Sequence, residues 1–152
     1  MKKFLCFLFI LISCKIFAWE MVEIVDEFKE PTGKIRAVQY AENTSENTDA
    51  RIFIDKIKKD KYRISFFTAE YLGEGENVAI KIKIDDNSPM LESGIVWGNQ
   101  KATFMTLSKK LKEAMKKGKV MKVVIRKYKY NTQDLYLEFK LDGFEEILEK
   151  TK

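Results

Sequence analysis

Two stretches of the chain alternate apolar and polar residues with a period of two. In residues 77–85, Val78, Ile80, Ile82 and Ile84 fall on one side, and Ala79, Lys81, Lys83 and Asp85 on the other. In residues 135–142, Leu135, Leu137, Phe139 and Leu141 alternate with Tyr136, Glu138, Lys140 and Asp142. Successive side chains of a strand point to opposite faces of a sheet. Each stretch is therefore expected to be an antiparallel strand with one face in a core and the other in water. A helix would scatter the same residues around its axis.

The remaining segments fit that frame. Residues 19–25 and 34–41 read as strands around the turn Asp26-Glu27-Phe28-Lys29-Glu30-Pro31-Thr32-Gly33, where proline presets φ and glycine supplies a positive one. Residues 51–57 and 62–71 flank Lys58-Lys59-Asp60-Lys61 as a hairpin, and 95–97 and 101–107 flank Gly98-Asn99-Gln100 as a second. Residues 42–49, 73–76, 86–93 and 131–134 read as loops and turns. Ser108 is placed to cap a helix over 109–117, with Leu111, Ala114 and Met115 on one face and Gly118 as a left-handed stop. Residues 120–130 return to strand. A last helix begins near Gly143, with Phe144, Ile147 and Leu148 at helical spacing. The expected class is all-β to α+β: an antiparallel β-sandwich or barrel-like domain with two short helices in its C-terminal half, closing one end of the core. At 152 residues there is material for one core.

The start of the chain reads differently. Met1-Lys2-Lys3 precedes the apolar run from Phe4 to Ile12. That run is shorter than the about 20 residues needed to cross a bilayer and has the layout of a secretion signal. Residues 1–18 are read as a signal peptide and 19–152 as a single β-rich exported domain, periplasmic, at the cell surface or secreted. Ile16-Phe17-Ala18 offers a cleavage site that leaves Trp19 first. Leu11-Ile12-Ser13-Cys14 resembles a lipobox, which would make Cys14 a lipidated, membrane-anchoring terminus. The apolar Lys15-Ile16-Phe17-Ala18 that follows is unlike the polar tether of a lipoprotein. Cys6 and Cys14 are the only cysteines, so a chain starting at Trp19 has no disulfide, and its stability must come from its core.

Charge is segregated along the chain. Loss of Lys2, Lys3 and Lys15 with the leader lowers the formal net charge from +5 to +2, too near neutrality for a general polyanion binder. Nucleic acid is not an expected partner, and it lies in the wrong compartment. Between Lys101 and Lys129, however, Glu113 is the only acid among eleven basic residues, whereas residues 19–49 hold eight acids against three basic residues. Such local segregation can attract an anionic surface. Lys109, Lys112, Lys116, Lys119, Lys122 and Arg126 are the candidate anionic-partner surface, for an envelope polymer, lipid headgroups or a host polymer. The alternative is a solvated face in a lysine-biased chain, which has only four arginines: Arg36, Arg51, Arg63 and Arg126. Trp19, Phe28, Tyr40, Trp97, Tyr128 and Tyr130 could form an aromatic surface, or pack in the core and at its edges.

The chain contains no histidine. Imidazole bases, Ser-His and Cys-His catalysis and His-ligated metals are excluded, and after cleavage so is thiol chemistry. Ser108 near Lys110 is better explained as a helix cap. Asp26 with Glu27, and Asp85 with Asp86, are adjacent acids at turns, where solvation is the ordinary role. Asp85-Asp86-Asn87 lacks the spacing of a calcium loop. No catalytic residue, cofactor or metal is expected. The function expected is a non-enzymatic envelope or surface binding module with an envelope or host protein, or an anionic polymer or lipid surface, as partner. The alternative is a carboxylate-dependent envelope hydrolase or hydrolase inhibitor. Membrane contact is expected only if Cys14 is lipidated.

Trp19-Glu20 followed by Asp26-Glu27-Phe28-Lys29-Glu30-Pro31-Thr32-Gly33 resembles the start of a group of small exported bacterial proteins with an Asp-Glu-Phe-Gly-Asp-Pro-Thr-Gly type turn. This chain has Lys29 where those have glycine, and Glu30 for aspartate. The layout of residues 78–85, the 107–117 helix, the 120–130 strand and Phe139-Lys140-Leu141-Asp142-Gly143-Phe144 is similar to invasion-associated locus B proteins and to type VI secretion accessory proteins of the VasI kind. The resemblance implies a β-sandwich-like exported domain without enzymatic activity, and it brings no catalytic residue. The cysteines found in parts of those families are missing here.

The intact mass of protein recovered from cells is expected to match a chain beginning at Trp19. A diacyl or triacyl addition on a chain beginning at Cys14 would instead establish the anchored form.

Overall fold

The computed structural model describes residues 18–45, 49–72, 77–98, 100–126 and 134–152. Several expectations lie outside the described residues: the leader with Cys14, the turns at 73–76 and 131–133, and Lys127, Tyr128, Lys129 and Tyr130.

The alternating segments form strands in the expected register. β6 (Asn77–Ile84) and β10 (Leu135–Lys140) both pair with β9 (Val120–Ile125), Ile82 opposite Val123 and Leu137 opposite Val123 from the other side. Val78, Ile80, Ile82, Ile84, Leu135, Leu137, Phe139 and Leu141 are all buried. The anticipated hairpins are β4 (Ala50–Lys58) with β5 (Lys61–Thr68), and β7 (Met90–Val96) with β8 (Ala102–Thr106). β1 (Glu20–Val25) and β2 (Pro31–Tyr40) form the first antiparallel pair.

One antiparallel sheet holds all ten described strands, in the order β1-β2-β4-β5-β8-β7-β6-β9-β10-β3. The two-residue β3 (Asn43–Thr44) lies directly after β2 in the chain, yet pairs with β10 at the opposite end of that order. The Ala41 amide donates to the Ala50 carbonyl on β4, whereas the Glu42 amide donates to Glu138 on β10, at 2.9 and 2.8 Å. The chain thus hands its hydrogen bonds from one edge of the sheet to the other within a single peptide step. The sheet curls into a barrel-like wall around one core, in which Phe66 and Phe139 meet at 6.1 Å between ring centroids.

Two helices cover one end. In α1 (Lys109–Lys117) Ser108 caps as expected, its Oγ accepting from the Leu111 amide at 3.2 Å, and Leu111 and Met115 are buried. α2 (Phe144–Lys150) buries Phe144, Ile147 and Leu148. Phe144 packs on Trp19, 5.6 Å between centroids, so the tryptophan belongs to the core and not to an exposed aromatic surface. The Tyr62 hydroxyl donates to the Leu148 carbonyl at 3.3 Å and ties α2 to β5.

Some bounds shift, with β2 starting at Pro31 inside the expected turn, β3 lying in the loop expected over 42–49 and β5 ending at Thr68. Two further expectations are corrected. Gly118 is no left-handed stop: its φ of −85° and ψ of 168° are extended backbone. Glycine is required there because a β-carbon would collide with Ile84 Cγ2. The turn out of α1 is held instead by Asp85, whose carboxylate accepts from the Lys119 and Val120 amides at 2.9–3.1 Å. The loop expected over 86–93 ends early, because β7 starts at Met90 and pairs with Ile82. Pro89 stands just before the strand, where its missing amide costs no ladder bond.

The β1–β2 hairpin extends past the wall. β2 pairs with β4 only from Ala37 to Tyr40, and its first half pairs with β1 alone, apart from Ile35, whose amide and carbonyl bond the Lys152 main chain at 3.1–3.3 Å. At the tip, Asp26 Oδ1 accepts from the Phe28 and Glu30 amides, both at 2.9 Å. Lys29 adopts a φ of 65°, at the position that is glycine in the turn it resembles. Phe28 is 76% exposed.

Ile82→Ala or Phe139→Ala should each lower the unfolding free energy by about 2–5 kcal/mol in urea titrations, as buried large-to-small changes do. A loss below about 0.5 kcal/mol at both would place these side chains outside the core.

Candidate functional site

The outward face of the wall carries the feature that the linear sequence conceals. β4 turns Ile52 and Ile54 inward, and so turns Arg51, Phe53 and Asp55 outward. On β5, Ile64 and Phe66 go in, while Arg63, Ser65 and Phe67 share the outward face. The ladder then sets these residues in rows. Tyr40, Arg51 and Phe67 lie side by side, as do Val38, Phe53, Ser65, Phe104 and Ile95.

A carboxylate organises the next row. Asp55, 7% exposed, accepts from Arg36 Nε at 2.9 Å through one oxygen, and from Arg63 Nε and Nη2 at 3.3 and 3.1 Å through the other. Hydrogen bonds to an ionised acceptor are the stronger kind, and one aspartate here fixes two guanidinium planes. Each arginine also lies over rings. Arg36 sits 5.1 Å from the Phe53 centroid, and Arg63 5.7 Å from both Trp97 and Phe104. Trp97 and Phe104 meet edge to face at 5.7 Å. Arg51, paired with Asp49 at 2.9 Å, covers Tyr40 at 4.5 Å.

The small residues Ser65 and Ala102 leave a dent of about 240 Å³ between the rings of Phe53, Phe67 and Trp97, with Arg36 and Asp55 on its rim. That is below the size of ordinary small-molecule clefts and suits one large side chain. Ser65 is 6% exposed, and its Oγ has no hydrogen-bond partner, a debt that buried polar groups seldom carry. Tyr40, Ile95 and Trp97 are each about half exposed around it.

The candidate lysine surface is arranged differently. Lys109, Lys119 and Lys122 are exposed. Lys112 is half-buried, its Nζ 5.6 Å from the Tyr62 ring, and Lys116 pairs with Glu145 at 3.2 Å. Arg126 faces Asp134 at 3.8 Å. Lys122 stands across the ladder from Glu138 on one side and from Lys83 on the other. Glu138 also accepts from the Tyr136 hydroxyl at 2.6 Å, and burial together with this bond pushes the phenol up to about 12. The helix lysines and the β9 cations thus lie on different elements, each group interrupted by an acid or a ring.

The turn acids have structural work. Asp26 holds the hairpin tip and Asp85 holds the exit from α1. No grouping of three potential metal ligands occurs among the described residues. Of the aromatic residues singled out in the sequence, Tyr40 and Trp97 join the outward face and Phe28 crowns the hairpin. Arg36, Arg51, Asp55, Arg63, Ser65 and Phe104 are the residues that sequence reading missed. Their signal is the Arg-x-Phe-x-Asp and Arg-x-Ser-x-Phe pattern of two adjacent strands, too polar for a core and too aromatic for a plain solvated face.

No family model matches the chain, and no curated protein matches it. Among solved structures, the crystal structure of invasion associated protein B from Bartonella henselae is similar, with a TM-score of 0.61 at 11% identity, over 88% of this chain and 90% of that one. The likeness is one of fold: the chain shares the barrel-like antiparallel architecture of that protein.

Proposed function

We propose that this chain is a non-enzymatic, exported protein that works at the bacterial envelope or surface by binding another protein through the outward face of its sheet. The observation that carries the reading is the arginine–aromatic face held by Asp55. Tryptophan, tyrosine and arginine are the residues that dominate binding energy at protein interfaces, and they act best around a desolvated pocket. Here Trp97 and Arg36 line a dent, with Arg63 beside it. The secretion-signal layout supports export, and the fold likeness to a protein named for invasion supports a surface role. No helix among the described residues is long and apolar enough to cross a membrane. The absence of histidine and the structural use of Asp26 and Asp85 favour binding over the hydrolase reading.

A photo-crosslinking amino acid placed at Phe104 in intact cells should yield a discrete protein adduct, and the same group at exposed Asn87 should not. Trp97→Ala should weaken that complex by about tenfold or more, the scale of an interface hot spot, while leaving the melting temperature within a few degrees. Equal labelling from both positions would count against the outward face as the working surface.

A second reading rests on the exposed lysines of α1 and its exit. Lys109, Lys110, Lys117 and Lys119 make no ion pair among the described residues. They support a weak, salt-sensitive contact with anionic envelope polymer or lipid, since exposed charges are screened beyond about 10 Å at 0.1 M salt. Replacing Lys109, Lys110, Lys117 and Lys119 with glutamine should abolish co-sedimentation with anionic liposomes or cell-wall polymer, with melting nearly unchanged because surface charges contribute little to stability. Failure of the unaltered protein to sediment at low salt would leave the lysines a solvated face.

A further inference from the structure

Two uncovered features among the described residues are complementary to each other. One is the hairpin tip, where Phe28 is 76% exposed between Glu27 and Lys29, with Glu30 close by. Glu27 and Glu30 make no ion pair among the described residues, and the described residues leave the ring 76% exposed. The other is the dent, a space of about 240 Å³ walled by aromatic rings. Arg36 and Asp55 stand on its rim, and Arg63 holds the same carboxylate from beside Trp97, so the trio carries one net positive charge. An acidic tip with a single protruding ring faces an aromatic dent with a surplus guanidinium. From this we infer that the occupant of the dent is Phe28 of a second copy of this chain.

The inference rests on the outward face being a binding surface, and it names the partner. Placement within the fold makes a closed arrangement available. Arg36 is on β2, the strand that continues through Lys34 and Gly33 into the hairpin tip. The dent therefore sits at the root of the same arm whose tip lies about 15–20 Å further along, at about 3.3 Å per strand residue. Two copies set head to foot bring each tip over the other's dent. The contact is then made twice about a twofold axis, the closed and commonest form of homo-oligomer. Ring insertion supplies apolar burial, while the glutamates against the guanidiniums set orientation and favour encounter. The Ser65 hydroxyl, unpartnered at 6% exposure, gains access to the main chain of the incoming tip.

The test is sedimentation velocity of the purified protein from about 1 µM to about 1 mM, the span of weak self-association. The unaltered chain should pass from monomer to dimer, less readily as salt is raised. Phe28→Ser and, separately, Trp97→Ala should each weaken the dimer by about tenfold or more. Phe28→Ser should leave the melting curve unchanged, because the ring is 76% exposed in the single chain. The decisive arm is a mixture of the two variants. Each supplies what the other lacks, so one intact tip–dent contact should produce a heterodimer tighter than either variant alone. A chain that stays monomeric throughout, a dimer indifferent to Phe28→Ser, or a mixture no tighter than its components would each overturn the inference. If the monomer persists while a crosslink from Phe104 to a different envelope protein is retained, self-association falls and the binding face stands. If both are lost, the outward face falls with it.

Discussion

A sheet of ten strands has two edges of unpaired amides and carbonyls, and an exposed edge invites pairing with other chains. The rest of this molecule depends on how those edges are handled. At one, the chain passes from β2 to β3 and satisfies β10, so the wall closes on itself around Ala41 and Glu42. Because the wall closes, every inward side chain meets a core and no second sheet is needed. The two short helices then have only one open end to cover. The other edge, β1, pairs with no further strand among the described residues, and Glu20 and Glu23 on that strand are the kind of charged residue that guards an edge against unwanted pairing.

The division of labour between the cations follows from the same wall. Lysines are spread over the helix, the turns and the solvent side of strands, as at Lys81 and Lys122, where a flexible ammonium on a long stem stays hydrated. All four arginines lie on the outward side of the sheet, at Arg36, Arg51, Arg63 and Arg126. A planar guanidinium can stack on a ring and still offer its edge to a carboxylate, which lysine cannot do. Three of the four are held over aromatic rings, and two of those share Asp55. In a chain so heavily biased toward lysine, that placement sets this face apart from an ordinary solvated one.

Much of the fold was legible, because its signals are local. The alternation around Ile82 and Phe139, the Ser108 cap and the apolar spacing of Phe144, Ile147 and Leu148 each lie within a few residues of one another. What escaped was non-local. Gly118 is glycine because of Ile84, on a different strand, and no short window reveals that neighbour. Arg36 and Asp55 are 19 positions apart. Asp55 and Arg63 are nearer, but their register depends on a bulge between Lys56 and Lys58, and a one-residue slip would turn the whole outward set into the core. The lysine segment misled in the opposite direction: residues close in sequence were divided by the change from helix to strand at Gly118.

The hairpin tip has an entropic side. Short loops with a large apolar side chain normally lose freedom when they dock, and that loss is subtracted from affinity. Here Asp26 closes the turn with two amide bonds, and Lys29 accepts a left-handed backbone that other residues than glycine seldom adopt. The ordering is thus completed during folding, and part of the stability of the whole domain is spent on it. Any surface that receives Phe28 meets a rigid projection already in its final shape, so its residence time is set by the fit of one ring and not by the folding of a loop.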